Sequence, residues 1–122
     1  MKNIELINKN KLQVNDKIIS FENEIIRKYK VFGNLCIVIF DVVQPEKDKY
    51  YNNVIAIDIS NEFIIWEIEK NKKLDKQNPY MSVFDSDFYF IFQKSNDTRY
   101  AVNKKNGEII KNIDLNTGNR PW

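Results

Sequence analysis

One short pattern recurs along this chain and restricts its fold more than any other feature: NEIIRKYK (23–30), EFIIWEIE (62–69) and GEIIKNID (107–114). Aligned on Ile25-Ile26, Ile64-Ile65 and Ile109-Ile110, the copies lie 39 and 45 residues apart, a spacing at which one repeat is one small sheet. Each copy follows a turn signal and mixes β-branched residues with charge, the pattern of an outer strand with one wet face. A chain of 122 residues holds fewer than three such units. The repeat therefore predicts an assembly of sheets that is begun and left open.

A single domain of this length can bury a core, and 43% hydrophobic with 13% aromatic residues supplies enough apolar surface to offset the entropy of ordering the chain. The charges nearly cancel, 19 basic against 17 acidic, and only Arg27, Arg99 and Arg120 are arginine, so no strong field points to a polyanion or an acidic substrate. Cys36 is the only cysteine and sits in the run LCIVIF. It cannot form an intrachain disulfide, and its surroundings predict a thiol packed as a small hydrophobe in a reducing compartment. The N-terminal stretch MKNIELINKNKLQVNDK has no apolar run of signal-peptide length, and no segment approaches the roughly 20 apolar residues of a membrane span. A soluble, cytoplasmic protein is expected.

Along the chain, residues 1–15 are too short a pattern to separate strand from helical turn. Residues 18–21 and 25–31 read as a hairpin around Glu22-Asn23, followed by a Gly33-Asn34 turn. The nearly continuous apolar run 35–43 predicts a central strand buried on both faces. A polar loop, 44–53, leads to a second hairpin, 54–59 with 63–69. The polar segment 70–79 connects to residues 80–84, an Asp85-Ser86-Asp87 turn and a second doubly apolar strand at 88–93. Residues 99–102 then pair with 108–115 across Asn106-Gly107, where glycine accepts positive φ without steric cost.

These units resemble the quinoprotein-like β-propeller repeat. Ala56-Ile57-Asp58 and Trp66 fit one copy of its alanine-leucine-aspartate and tryptophan strands, while Ala101-Val102-Asn103 and Gly107 fit another that carries Lys111 where tryptophan would stand. The resemblance implies an all-β antiparallel meander of two to three blades: 16–31 as a partial blade, 32–69 and 80–115 as blades, 116–122 as a tail. Closed propellers use about 4 to 8 blades. An open half β-propeller would need its bare face or edge covered by a partner, by self-association or by the termini.

The chain has no histidine, which removes the commonest general acid/base and transition-metal ligand. Neither a Cys-His nucleophile nor a glycine-rich phosphate loop can be assembled, so no enzymatic activity and no cofactor are expected. The carboxylate pairs Asp85/Asp87 and Glu67/Glu69 read as turn chemistry and a solvated strand face, and the rings of FYFIF read as core, not as a base-stacking platform. Trp66 is expected between sheets. Trp122 is either docked on the open sheet or free to enter a partner. Tyr50 and Tyr51 beside Glu46 and Asp48 have the composition of a recognition surface for a basic protein.

By class, small cytoplasmic β-rich proteins of this kind are similar to immunity proteins of contact-dependent growth inhibition and other polymorphic toxin systems. That likeness implies a partner-binding set of Glu46, Asp48, Tyr50, Tyr51, Asp85, Asp87 and Trp122, which would cover the active site of a toxin domain such as a nuclease. The alternative is a nucleic-acid-binding or regulatory β domain working through lysines such as Lys70, Lys72, Lys73 and Lys76. Steep salt dependence would mark that second case.

Overall fold

The computed structural model describes residues 4–42, 52–69, 79–95, 97–113 and 115. They form three antiparallel sheets in which every neighbour in space is a neighbour in sequence. The N-terminal sheet holds β1 (Ile4–Asn8), β2 (Lys11–Val14) and β3 (Lys17–Ser20). The middle sheet holds β4 (Ile26–Phe32), β5 (Leu35–Phe40), β6 (Val54–Asp58) and β7 (Phe63–Glu67), and the C-terminal sheet β8 (Tyr80–Asp85), β9 (Phe90–Lys94) and β10 (Arg99–Val102). An isolated antiparallel bridge from Val102 to Ile109 adds the start of a fourth C-terminal strand. No helix among the described residues is long and apolar enough to cross a membrane.

The period-2 alternation of strands explains why the middle sheet lies between the other two. Cys36, Val38 and Phe40 of β5 and Ile55 and Ile57 of β6 pack with Leu12, Val14 and Phe21 of the N-terminal side. Ile37, Ile39, Val54 and Ala56 point the other way, and with Trp66 and Ile68 they meet Tyr80, Val83, Phe90, Phe92, Tyr100 and Val102. The run LCIVIF is thus buried on both faces, as its lack of polar residues predicts. Each of its fully buried aliphatic side chains contributes about 1.5–3 kcal/mol, which makes this sheet the spine of the molecule.

The hairpin expected around Glu22-Asn23, which holds NEIIRKYK, does not form. Residues 18–21 do not pair with 25–31: β3 pairs with β2 and β4 pairs with β5, so the segment 16–31 is divided between two sheets. The two-residue turns decide this. Asn15 at φ 56° closes β2 on β3, and Gly33 at φ 59° closes β4 on β5, satisfying both strands locally before they can pair with each other. Between them, Phe21 N–H donates to Asn10 O at 2.8 Å and Ile26 N–H to Lys9 O at 2.7 Å, which ties down the crossover.

Antiparallel pairing across a turn that precedes an isoleucine pair is found in LQVNDKIIS (Ile18-Ile19), AIDISNEFIIWE and YAVNKKNGEII. Each of these turns contains a left-handed residue, Asn15, Glu62 (φ 63°) or Gly107 (φ 75°). Residues 4–14, undecided from sequence, supply β1 and β2. The pairing expected for 108–115 is reduced to the Ile109 bridge and an Ile110 N–H to Ala101 O bond of 2.8 Å.

Candidate functional site

The strand expected to be apolar on both sides at 88–93 begins two residues later and alternates. Phe90 and Phe92 are buried, whereas Phe88 stands outside the strand and is 86% exposed, the largest exposure among the bulky apolar residues described. Its exposure follows from the turn that carries it. Asp85 is the register partner of Phe90, so residues 86–89 form the loop, and Ser86 N–H donates to Tyr89 O at 3.1 Å. Phe88 sits at the tip.

A lysine from a different turn fixes this loop. Lys104 Nζ pairs with Asp85 Oδ1 at 2.7 Å, donates to Ser86 O at 2.6 Å and lies 5.1 Å from the centroid of the Phe90 ring. The carbonyl of Lys104 in turn accepts the Trp66 indole N–H at 2.9 Å. Trp66 is buried between the middle and C-terminal sheets, as expected, and lies against Gly107, where an added Cβ would come within 2.5 Å of its ring. The exposed loop is therefore referenced to the spine through Asp85, Lys104 and Trp66. Such a loop loses little conformational entropy on binding.

Asp85 is the last residue of β8 and Asp87 lies in the loop, and both are exposed. Asp85 is committed to Lys104, and no group of three or more potential ligands for a metal ion occurs among the described residues. Glu46, Asp48, Tyr50, Tyr51 and Trp122 lie outside the described residues, as do Lys70, Lys72, Lys73 and Lys76. Glu67 is exposed as expected, but Glu69 is not merely solvated: Oε1 accepts Ile109 N–H at 2.9 Å and Oε2 pairs with Lys111 Nζ at 2.8 Å. Partial burial alone would raise its carboxyl, yet the Lys111 and Ile109 donors outweigh that and hold it below the usual range.

Two buried polar side chains escaped sequence reasoning. Asn53 donates to Phe40 O at 2.8 Å and Tyr80 O at 2.9 Å and accepts Tyr80 N–H at 3.0 Å, stitching β5 to β8. Lys94 is fully buried, with Nζ 4.8 Å from the Tyr80 ring centroid and 5.6 Å from that of Tyr100. Its place in the alternation Phe90, Phe92, Lys94 was the available signal. Cys36 behaves as the sequence predicts: it is fully buried, and desolvation pushes its thiol up to about 12.

Fold and site together define an all-β protein that displays an aromatic side chain next to a carboxylate on a braced turn. Over residues 1–118 the chain matches the model of a domain of unknown function (DUF7957), and it belongs to that family. No curated protein and no solved structure matches it.

Proposed function

We propose that this chain is a non-enzymatic binding protein, and that it acts in the cytoplasm as an immunity protein that neutralises a toxin domain by covering its active site. The observation that carries the binding reading is Phe88: a large ring held almost wholly in water on a turn that Lys104 braces. Aromatic anchors that fill a pocket dominate interface energetics, and an exposed ring on a preorganised loop is set up for that role. Asp85 and Asp87, just before it in the chain, fit a socket rimmed by lysine or arginine. A nuclease, whose active site binds phosphate, offers such a rim. On this reading the three sheets are successive blades of an open half β-propeller, and its exposed ends are where a partner is seated.

The test is co-expression. The variable C-terminal domain of a secreted protein encoded immediately upstream is induced with and without this chain. Growth restored by the wild type and lost with Phe88→Asp supports the proposal. An isolated locus, or equal rescue by the variant, overturns it.

A further inference from the structure

The three sheets are unequal in one respect. The turn that follows β2 touches the turn that follows β6, through Asn15 Nδ2 donating to Ile59 O at 2.9 Å, and Lys9 after β1 bonds Ile26 N–H just where Asp41 after β5 bonds Ile25 O at 2.7 Å. So β1, β2 and β3 stack on β5, β6 and β7. In the middle sheet a further antiparallel strand, β4, lies beside β5; in the C-terminal sheet β8 lies beside β9. Among the described residues the N-terminal sheet has no counterpart, and β1 is its edge.

Burial registers the gap. Val83 of β8 faces the middle sheet and is 1% exposed, because β4 lies across from it. Val31 of β4 lies opposite the fully buried Cys36 and so faces the N-terminal sheet, yet it is 46% exposed. Its neighbour on that face, Tyr29, packs only partly against the core. Among the described residues, the place beside β1 therefore has Val31 as an apolar floor and the outer groups of β1 as a hydrogen-bonding wall.

The wall can be read residue by residue. A two-residue hairpin closes on a hydrogen-bonded pair, here Val14 with Lys17, and bonded and non-bonded pairs then alternate. The Phe21 N–H to Asn10 O bond fits that alternation. Gln13 accordingly bonds toward β1, where its register partner is Glu5. Ile4 and Leu6 are left directing N–H and C=O away from the sheet, and Leu6 is 44% exposed.

We propose that the edge of β1 accepts an extended strand from another protein, antiparallel to β1, with apolar side chains toward Val31 and a basic side chain beside Glu5. Charge selects this occupant over a second copy of the chain. Two-fold pairing that uses all the free groups of Ile4 and Leu6 sets Glu5 directly opposite Glu5, and like charges in that position are destabilising. The strand that fills the equivalent place in the middle sheet, β4, is itself basic, with Arg27, Lys28 and Lys30. This surface does not depend on the Phe88 turn or on a toxin partner.

The probe is a synthetic peptide with the sequence IRKYKVF of β4, added to the intact protein and followed by amide hydrogen exchange. Slowed exchange at Ile4 and Leu6, with the Ile4 protection lost in Leu6→Pro and peptide affinity weakened at least tenfold in Glu5→Lys, is the expected result. Leu6→Pro removes an outward N–H and leaves the β1–β2 ladder in place, and thermal unfolding checks that both variants fold. Leu6→Ala, which keeps the donor, should bind the peptide. No protection at Leu6, equal binding by Leu6→Pro, or concentration-dependent self-association at β1 in place of peptide binding would each overturn the proposal.

Discussion

The N-terminal and C-terminal sheets lie on opposite faces of the same spine and are attached to it by different means. The N-terminal sheet is held mainly by Leu12, Val14 and Phe21, with Asn15 and Lys17 reaching the backbone of Ile59 and Glu62 at its rim. The C-terminal sheet adds polar bonds along both edges. Lys30 Nζ reaches Val83 O at 3.3 Å and Asn53 holds Tyr80 on one side, while Trp66, Glu69 and Lys104 hold the other. Apolar burial has no direction and lets a sheet slide or tilt, whereas bonds to backbone groups fix its register. The sheet that displays Phe88 is the one with such bonds along both of its edges.

The largest test of that contrast is Gly107→Ala. The new methyl would meet the Trp66 ring at 2.5 Å and Glu67 O at 3.0 Å, at a residue whose φ is +75°. Overpacking and left-handed strain together predict a loss of about 4 kcal/mol by denaturant unfolding. Gly33→Ala is the control, since φ is +59° but nothing lies within 4 Å, and it should cost about 1 kcal/mol. Equal losses would mean that the Trp66 contact does not pin the C-terminal sheet.

Asn53→Ala should follow at about 3 kcal/mol, because it strands buried backbone groups of Phe40 and Tyr80 without partners. Asn15→Ala, at the rim of the opposite sheet, removes its half-buried bond to Ile59 O and should cost about 1 kcal/mol. Thermal unfolding of the two variants compares the polar stitching directly. Phe88→Ala should leave stability within about 0.5 kcal/mol of the wild type while weakening a cognate complex by about 2 kcal/mol, roughly 30-fold, in a calorimetric titration.

The C-terminal and N-terminal sheets differ also in how much of them the sequence discloses. The spine was readable because LCIVIF and the VIAI of β6 have no polar residue to orient, and its first turn carries Gly33 at positive φ. The N-terminal sheet was not, because KLQV and KIIS are four residues each and their Asn15-Asp16 turn is shorter than the others, which hid their kinship with FIIWE. Phe88 was lost in FYFIF because both faces of that strand are apolar, so composition could not reveal where alternation begins. The turn near Asp85-Ser86-Asp87 was legible from its composition, although Asp85 itself ends β8 and its carboxylate goes to Lys104. The Lys104 brace joins residues far apart in sequence, and no local pattern encodes it.

The smallest expected effect asks whether the pinning is electrostatic in part. Glu69 holds Ile109 N–H and Lys111, and its carboxyl is depressed below the ordinary 4.5. For a carboxyl depressed on folding, the contribution is complete above the unfolded value and disappears as pH falls through the folded one. With Lys111 and Glu69 side chains 72% and 33% exposed, solvent screening limits it to under about 1 kcal/mol. Acidification below 4.5 should therefore speed exchange of the Ile109 amide while leaving the Asn15 to Ile59 bond unaffected, since no titrating group makes it. Glu69→Gln should show the faster exchange at neutral pH and lose the pH dependence. If both rims loosened together in acid, the polar bonds of the C-terminal sheet would not be what sets it apart, and apolar burial would have to account for the attachment of both sheets.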